Sequence, residues 1–119
     1  MEMTTALEPW DRSVGMARSF VLESIGSDEN QDRVSLIVLL ASELVSNAVL
    51  HARSDLSVTV RRFADCIRVE VYDGNPLLPQ PCLPPAEATS GRGLGLVDAM
   101  ASAWGAERCR DGKVVWFEL

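Results

Sequence analysis

The chain of 119 residues is poor in the groups that bind metals or cross-link secreted folds. It has one histidine, His51, and three well-separated cysteines, Cys66, Cys82 and Cys109, with no Cys-x-x-Cys pair. Neither a zinc cage nor a disulfide framework can be drawn from that set. Long apolar runs are missing too. The strongest stretch, Leu36 to Ala41, is far too short to span a bilayer. The start, Met1-Glu2-Met3-Thr4-Thr5, lacks the basic residues and the apolar run of a signal peptide, so a reduced, cytoplasmic setting is expected. Basic residues are outnumbered, 11 against 17 acidic ones, for a formal net charge of −6. Such a chain repels phosphodiester backbones and anionic lipid, so no direct nucleic-acid or membrane partner is expected.

What is present is enough apolar material, 47% of residues, to bury a core in one domain spanning 1–119. Thr4 to Glu8 reads as an edge strand that Pro9 ends. From Ser13, a candidate N-cap, Val14, Ala17, Val21, Leu22 and Ile25 recur at helical spacing until Gly26. A longer helix opens at Asp28 or Asn30 and runs to about Ala52. Val34, Ile37, Val38, Ala41, Leu44, Val45 and Ala48 form its apolar face, which Leu36, Leu39 and Leu40 widen, so its middle should be deeply buried.

The period then changes to two. Leu56, Val58 and Val60, then Ile67, Val69 and Val71, alternate with polar residues and read as a hairpin turning at Ala64-Asp65. Five of the six prolines fall between Pro76 and Pro85. That segment is neither helix nor central strand, and 76–90 is expected to be a lid. Gly91 to Gly95 leads into a short helix carrying Leu96, Val97, Met100 and Ala101. Two last strands, Trp104 to Arg110 and Lys113 to Leu119, join at Asp111-Gly112, a strong hairpin signal. The expected fold is α+β: a two-layer sandwich of a mixed, mostly antiparallel sheet with helices on one face.

Three places depart from a plain core. Glu43, Asn47 and His51 step by four along the long helix and share one polar stripe. A solvated helix edge would look the same, yet a carboxylate and an amide one turn apart suit a general base and a magnesium ligand. Strand parity turns Asp73 inward, where a carboxylate needs donors, and Gly74 beside it allows a flat ligand close to the backbone. The competing reading is a turn starting at Asp73. Gly91-Arg92-Gly93-Leu94-Gly95 before a helix makes an anion cradle of backbone N–H groups, with Arg92 adding charge, or else a hinge. A Walker loop is ruled out by the missing lysine, and a Rossmann turn by the proline-rich loop where a strand should be.

The order of these features, Glu43-x-x-x-Asn47, Asp73-Gly74, a lid, then Gly91-x-Gly93-x-Gly95, resembles that of the GHKL (Bergerat-fold) ATPases and kinases. The phrases Ala41 to Ala52, Gly91 to Val97 and Gly112 to Leu119 are most similar to the small anti-sigma-factor serine/threonine kinases of actinobacterial type. That resemblance implies ATP and Mg2+ as cofactors, with Asn47 on the metal and Glu43 as catalytic base. It implies Asp73 and Gly74 at the adenine, Gly91, Arg92, Gly93, Leu94 and Gly95 around the triphosphate, and His51 nearby. It departs in two places. Asn75-Pro76 stands where many members have further glycines, and Val114 where the last strand often has an adenine-side threonine.

The implied function is an ATP-dependent regulator. It would phosphorylate a serine of an anti-sigma antagonist (STAS) protein, sequester a sigma factor, or both, as a homodimer joined through the first helix and strand. The alternative is a non-catalytic nucleotide-binding module that acts by sequestration alone. A freestanding hydrolase is the poorer fit, since no extra group is available to position water.

Overall fold

The computed structural model describes the backbone of residues 1–27, 29–78 and 88–119, and their side chains except at 88–93. Elements follow in the order β1 (Glu2–Leu7), α1 (Arg12–Ile25), α2 (Gln31–His51), β2 (Leu56–Arg62), β3 (Ile67–Asp73), α3 (Ala88–Met100), β4 (Ala103–Cys109) and β5 (Gly112–Glu118). The strands form one sheet in the order β1-β2-β3-β5-β4, antiparallel at every junction. The expected α+β sandwich is therefore present.

Alternation builds the sheet. Leu56, Val58 and Val60 pair across to Asp73, Val71 and Val69, and Val71 and Val69 pair on to Val115 and Phe117. All these apolar side chains lie on one buried face. The opposite face carries Arg68, held by Glu70 at 2.7 Å and Glu118 at 3.0 Å and lying over the Trp116 ring. Gly105 makes room for that ring, since a Cβ there would come within 2.9 Å of it.

Helix α2 covers the buried face with Val34, Ile37, Leu40, Ala41, Leu44, Val45 and Ala48. Asn30 caps it by accepting the Arg33 N–H at 3.1 Å. With a mean hydropathy of 1.7, α2 is long and apolar enough to cross a membrane by composition alone. Here its apolar stripe packs on the sheet. Its middle is less enclosed than the sequence suggests: Leu39 is 41% exposed, because the sheet and the flanking helices leave the outer side of α2 uncovered.

Several local expectations are corrected. Asp11, not Ser13, stands at the N-cap position of α1, and the Ser13 hydroxyl instead donates to the Glu8 carbonyl at 2.6 Å. Gly26 does end α1, with a φ of 88°. Of the expected lid, 79–87 lies outside the described residues, while 88–90 is helical. Gly91 to Gly95 is not a loop but belongs to α3. Leu94 and Val97, buried three residues apart, anchor the helix against the core and carry it back across the glycines.

The last hairpin turns one residue earlier than Asp111-Gly112. Cys109 pairs with Gly112, leaving Arg110-Asp111 as the turn. Gly112 serves a different need, because a Cβ there would sit 1.9 Å from the Asp73 carbonyl oxygen and 2.9 Å from the Gly74 Cα. Only glycine lets β5 approach the end of β3 this closely. Gly112→Ala is expected to cost roughly 1–3 kcal/mol in urea unfolding, as overpacking of a tight contact does. An unchanged midpoint would contradict this close approach.

Candidate functional site

Asp73 ends β3 on the face that parity predicts and is only 2% exposed. Apart from Lys113 on β5, its neighbours on that face, Val71, Val69, Leu56 and Val115, are apolar. A carboxylate there requires donors, and the chain supplies two. The Asn75 N–H donates to Asp73 Oδ1 at 2.9 Å, and Lys113 Nζ donates to the same oxygen at 3.0 Å. Lys113 Nζ also donates to the Asn75 carbonyl at 2.9 Å, so the ammonium ties β5 to the turn beyond β3. No described donor reaches Asp73 Oδ2.

Lys113 is the chain's only lysine, and sequence reasoning missed it. The register explains the error. Lys113 pairs with Asp73 and so shares its face, whereas Val114 pairs with Tyr72 and faces the other way. The residue beside the carboxylate is therefore a lysine, not the valine expected in the threonine's place. One residue of register is enough to exchange faces of a strand. The alternation of Val115 and Phe117 inward, extended back by two, would have found Lys113.

The turn after Asp73 is held from below. Gly74 N–H donates to the Ser54 hydroxyl at 2.8 Å, and that hydroxyl donates to the Asp55 carbonyl at 3.0 Å. The Asn75 amide donates to the His51 carbonyl at 3.4 Å, which brings the end of α2 to the same turn. Ser54 does not stand out in the sequence, since a serine after a helix carries no signal of its own.

The α2 stripe lies as its spacing predicts. Glu43 and Asn47 are half-buried and His51 is exposed. Spacing of four residues and 1.5 Å per residue separates Glu43 from His51 by about 12 Å along the axis. Among the described residues, nothing pairs with the Glu43 carboxylate or the Asn47 amide. Half-buried polar groups without partners are suited to a ligand, because no internal hydrogen bond has to break when it arrives. Helix α3, which packs on α2, carries the glycines. Gly95 is exposed, and a Cβ placed on it would meet nothing within 4 Å, while the side chain of Leu94 is 2% exposed and packs into the core. The side chain of Arg92 lies outside the described residues, and for Gly91 and Gly93 the description is the helical backbone alone.

The donor set fits a magnesium nucleotide. One end offers a buried carboxylate with an open oxygen, the other a carboxamide and a carboxylate one turn apart, both without partners among the described residues. Among the described residues no group of three or more His, Cys, Asp or Glu converges as a metal site, so a cation here would need ligands from a bound phosphate chain. Cys66 offers no competing nucleophile: burial, and then the Glu118 and Asp65 carboxylates, push its thiol up and away from the thiolate form.

Comparison with solved structures shows the same fold in two settings. The chain superposes with a TM-score of 0.69 on the structure of the RsbU and RsbW domains of Rv1364c from Mycobacterium tuberculosis, at 19% identity, covering 99% of this chain and 31% of that one. It matches the histidine kinase domain of the Erythrobacter litoralis EL346 blue-light activated histidine kinase with a TM-score of 0.55 at 23% identity, covering 91% of this chain and 59% of that one. The chain thus spans about a third of the first structure's length and under two thirds of the second's. No curated protein sequence matches it. The family model for the histidine kinase-like ATPase domain matches residues 11–119, for which ATP binding, typically with magnesium, is the implied chemistry. With that match spanning nearly the whole chain and the fold agreeing, the chain belongs to the histidine kinase-like ATPase domain family.

Proposed function

We propose that this chain binds ATP with magnesium and transfers the γ-phosphoryl group to a serine of an anti-sigma antagonist (STAS) protein, sequestering a sigma factor in the alternate state. The observation that carries the reading is Asp73, a buried carboxylate with one oxygen open at the end of a strand that is otherwise apolar on that face. An exocyclic amino group is the donor such an oxygen accepts. Gly74 beside it is exposed and leaves the backbone accessible.

In this reading Asn47 holds the magnesium, which supplies charge neutralisation across the phosphates. On the phosphate side this reading places Arg92 and the Gly91–Gly95 segment of α3, with His51 bordering the chain; the N–H groups free for phosphate are those of the helix's first turn, residues 88–91. Glu43 takes the proton of the serine hydroxyl as that oxygen bonds to the γ-phosphorus, and the bond to the β–γ bridging oxygen breaks to release ADP. The net charge of −6 means that attraction is local, from these groups, and not from the global field.

Labelled ATP, the protein and a candidate antagonist give a direct assay. Wild type is expected to transfer label, and Glu43→Ala to lose about 100-fold or more, the usual worth of a general base. Equal transfer by Glu43→Ala removes the catalytic assignment. Binding of ATP without any transfer favours a sequestering module over a kinase.

A homodimer is part of the same reading. Among the described residues the edge strand β1 has no neighbour on one side, and Met3 on it and Met16 on α1 are 43% and 54% exposed. A second copy would cover that edge. Light scattering at micromolar concentration is expected to return twice the 13.0 kDa chain mass, and a monomer would count against it.

A further inference from the structure

Two unfilled valences lie side by side at the end of the sheet. Asp73 Oδ1 is occupied by the Asn75 N–H and by Lys113, which leaves Oδ2 as an acceptor. Lys113 Nζ has three N–H donors and two acceptors, Asp73 Oδ1 and the Asn75 carbonyl. Its third N–H has no described acceptor, although the residue is only 7% exposed. Directly paired across β3 and β5, the two side chains present an acceptor next to a charged donor.

We propose that Lys113 is a specificity-determining residue that reads the ring edge of the nucleotide base, donating its third N–H to N1 of adenine while Asp73 Oδ2 accepts from the 6-amino group. This rests on the nucleotide reading of the site and adds the base chemistry to it. Adenine offers a donor and an acceptor in adjacent positions, the complement of the pair. Guanine offers the reverse, an oxygen toward the carboxylate and an N–H toward the ammonium, so both contacts would be repulsive. The ammonium is fixed in place before a base arrives, by Asp73 on one side and the Asn75 carbonyl on the other. That preorganisation lowers the cost of ordering it on binding.

The test is calorimetric titration with Mg-ATP and with Mg-1-deaza-ATP, which keeps the amino group and lacks the N1 acceptor. Wild type is expected to bind the deaza analogue roughly tenfold more weakly, the worth of one hydrogen bond from a charged donor. Lys113→Gln retains two N–H groups, enough for Asp73 and Asn75 but none for the ring. It is expected to fold and to bind the two nucleotides equally. Lys113→Met serves as a second variant without any donor and is expected to show the same lost discrimination where circular dichroism shows it folded. Equal binding of both nucleotides by wild type overturns the assignment, as does a tenfold preference retained by Lys113→Gln. Wild type that binds neither nucleotide at millimolar concentration overturns the nucleotide reading itself, a distinct result.

Discussion

The ion pair between Asp73 and Lys113 is the constraint around which the sheet's ligand end is arranged. A carboxylate 2% exposed among valines is costly to leave alone, and removing one partner of such a buried pair typically costs about 3–5 kcal/mol. Its partner comes from a strand 40 positions away, so the pair exists only if β5 lies directly beside β3. Gly112 permits that approach by having no Cβ against the Asp73 carbonyl. The Asn75 turn supplies the second acceptor for the ammonium and the second donor for the carboxylate. Ser54 and the His51 carbonyl then hold the turn against the end of α2. Fold and site are thus one network at this end of the molecule.

The rest of the site is built differently. Glu43 and Asn47 are positioned by an element rather than by partners: α2 is pinned by the adjoining buried face, Ile37, Leu40, Leu44 and Val45, and the polar stripe along its border follows from helical geometry. Their orientation is therefore set by packing, and their hydrogen-bonding capacity remains available. One end of the site is saturated and rigid apart from one oxygen and one N–H. The other is open. That division suits a ligand with an invariant ring and a phosphate chain that must change during a reaction.

Much of this is legible in the residues because period and parity are short-range. The alternation Leu56-Val58-Val60 and Ile67-Val69-Val71 specifies the hairpin and turns Asp73 inward, and the Glu43-Asn47-His51 spacing specifies the stripe. The inward side of Lys113 follows from the alternation of Val115 and Phe117, but its place beside Asp73 depends on the β3–β5 register, which no local pattern fixes. Placing the turn at Asp111-Gly112 rather than Arg110-Asp111 hides the second role of Gly112. The glycine segment misleads for another reason: glycines favour loops, but Leu94 and Val97 buried against the core outweigh a helix-propensity cost of about 1 kcal/mol per glycine. Leu39 misleads in the opposite sense, since apolar character around a helix does not decide how many of its sides are covered.

The most direct measurement is NMR of the side-chain ammonium in protein labelled with 15N-lysine, where a single lysine gives a single Nζ signal. An ammonium held by Asp73 and the Asn75 carbonyl should exchange its protons slowly enough to be seen, and Mg-ATP should shift it and slow that exchange further. A signal lost to rapid exchange in the free protein, or one that Mg-ATP at saturating concentration leaves unmoved, would contradict a site organised around the Asp73–Lys113 pair.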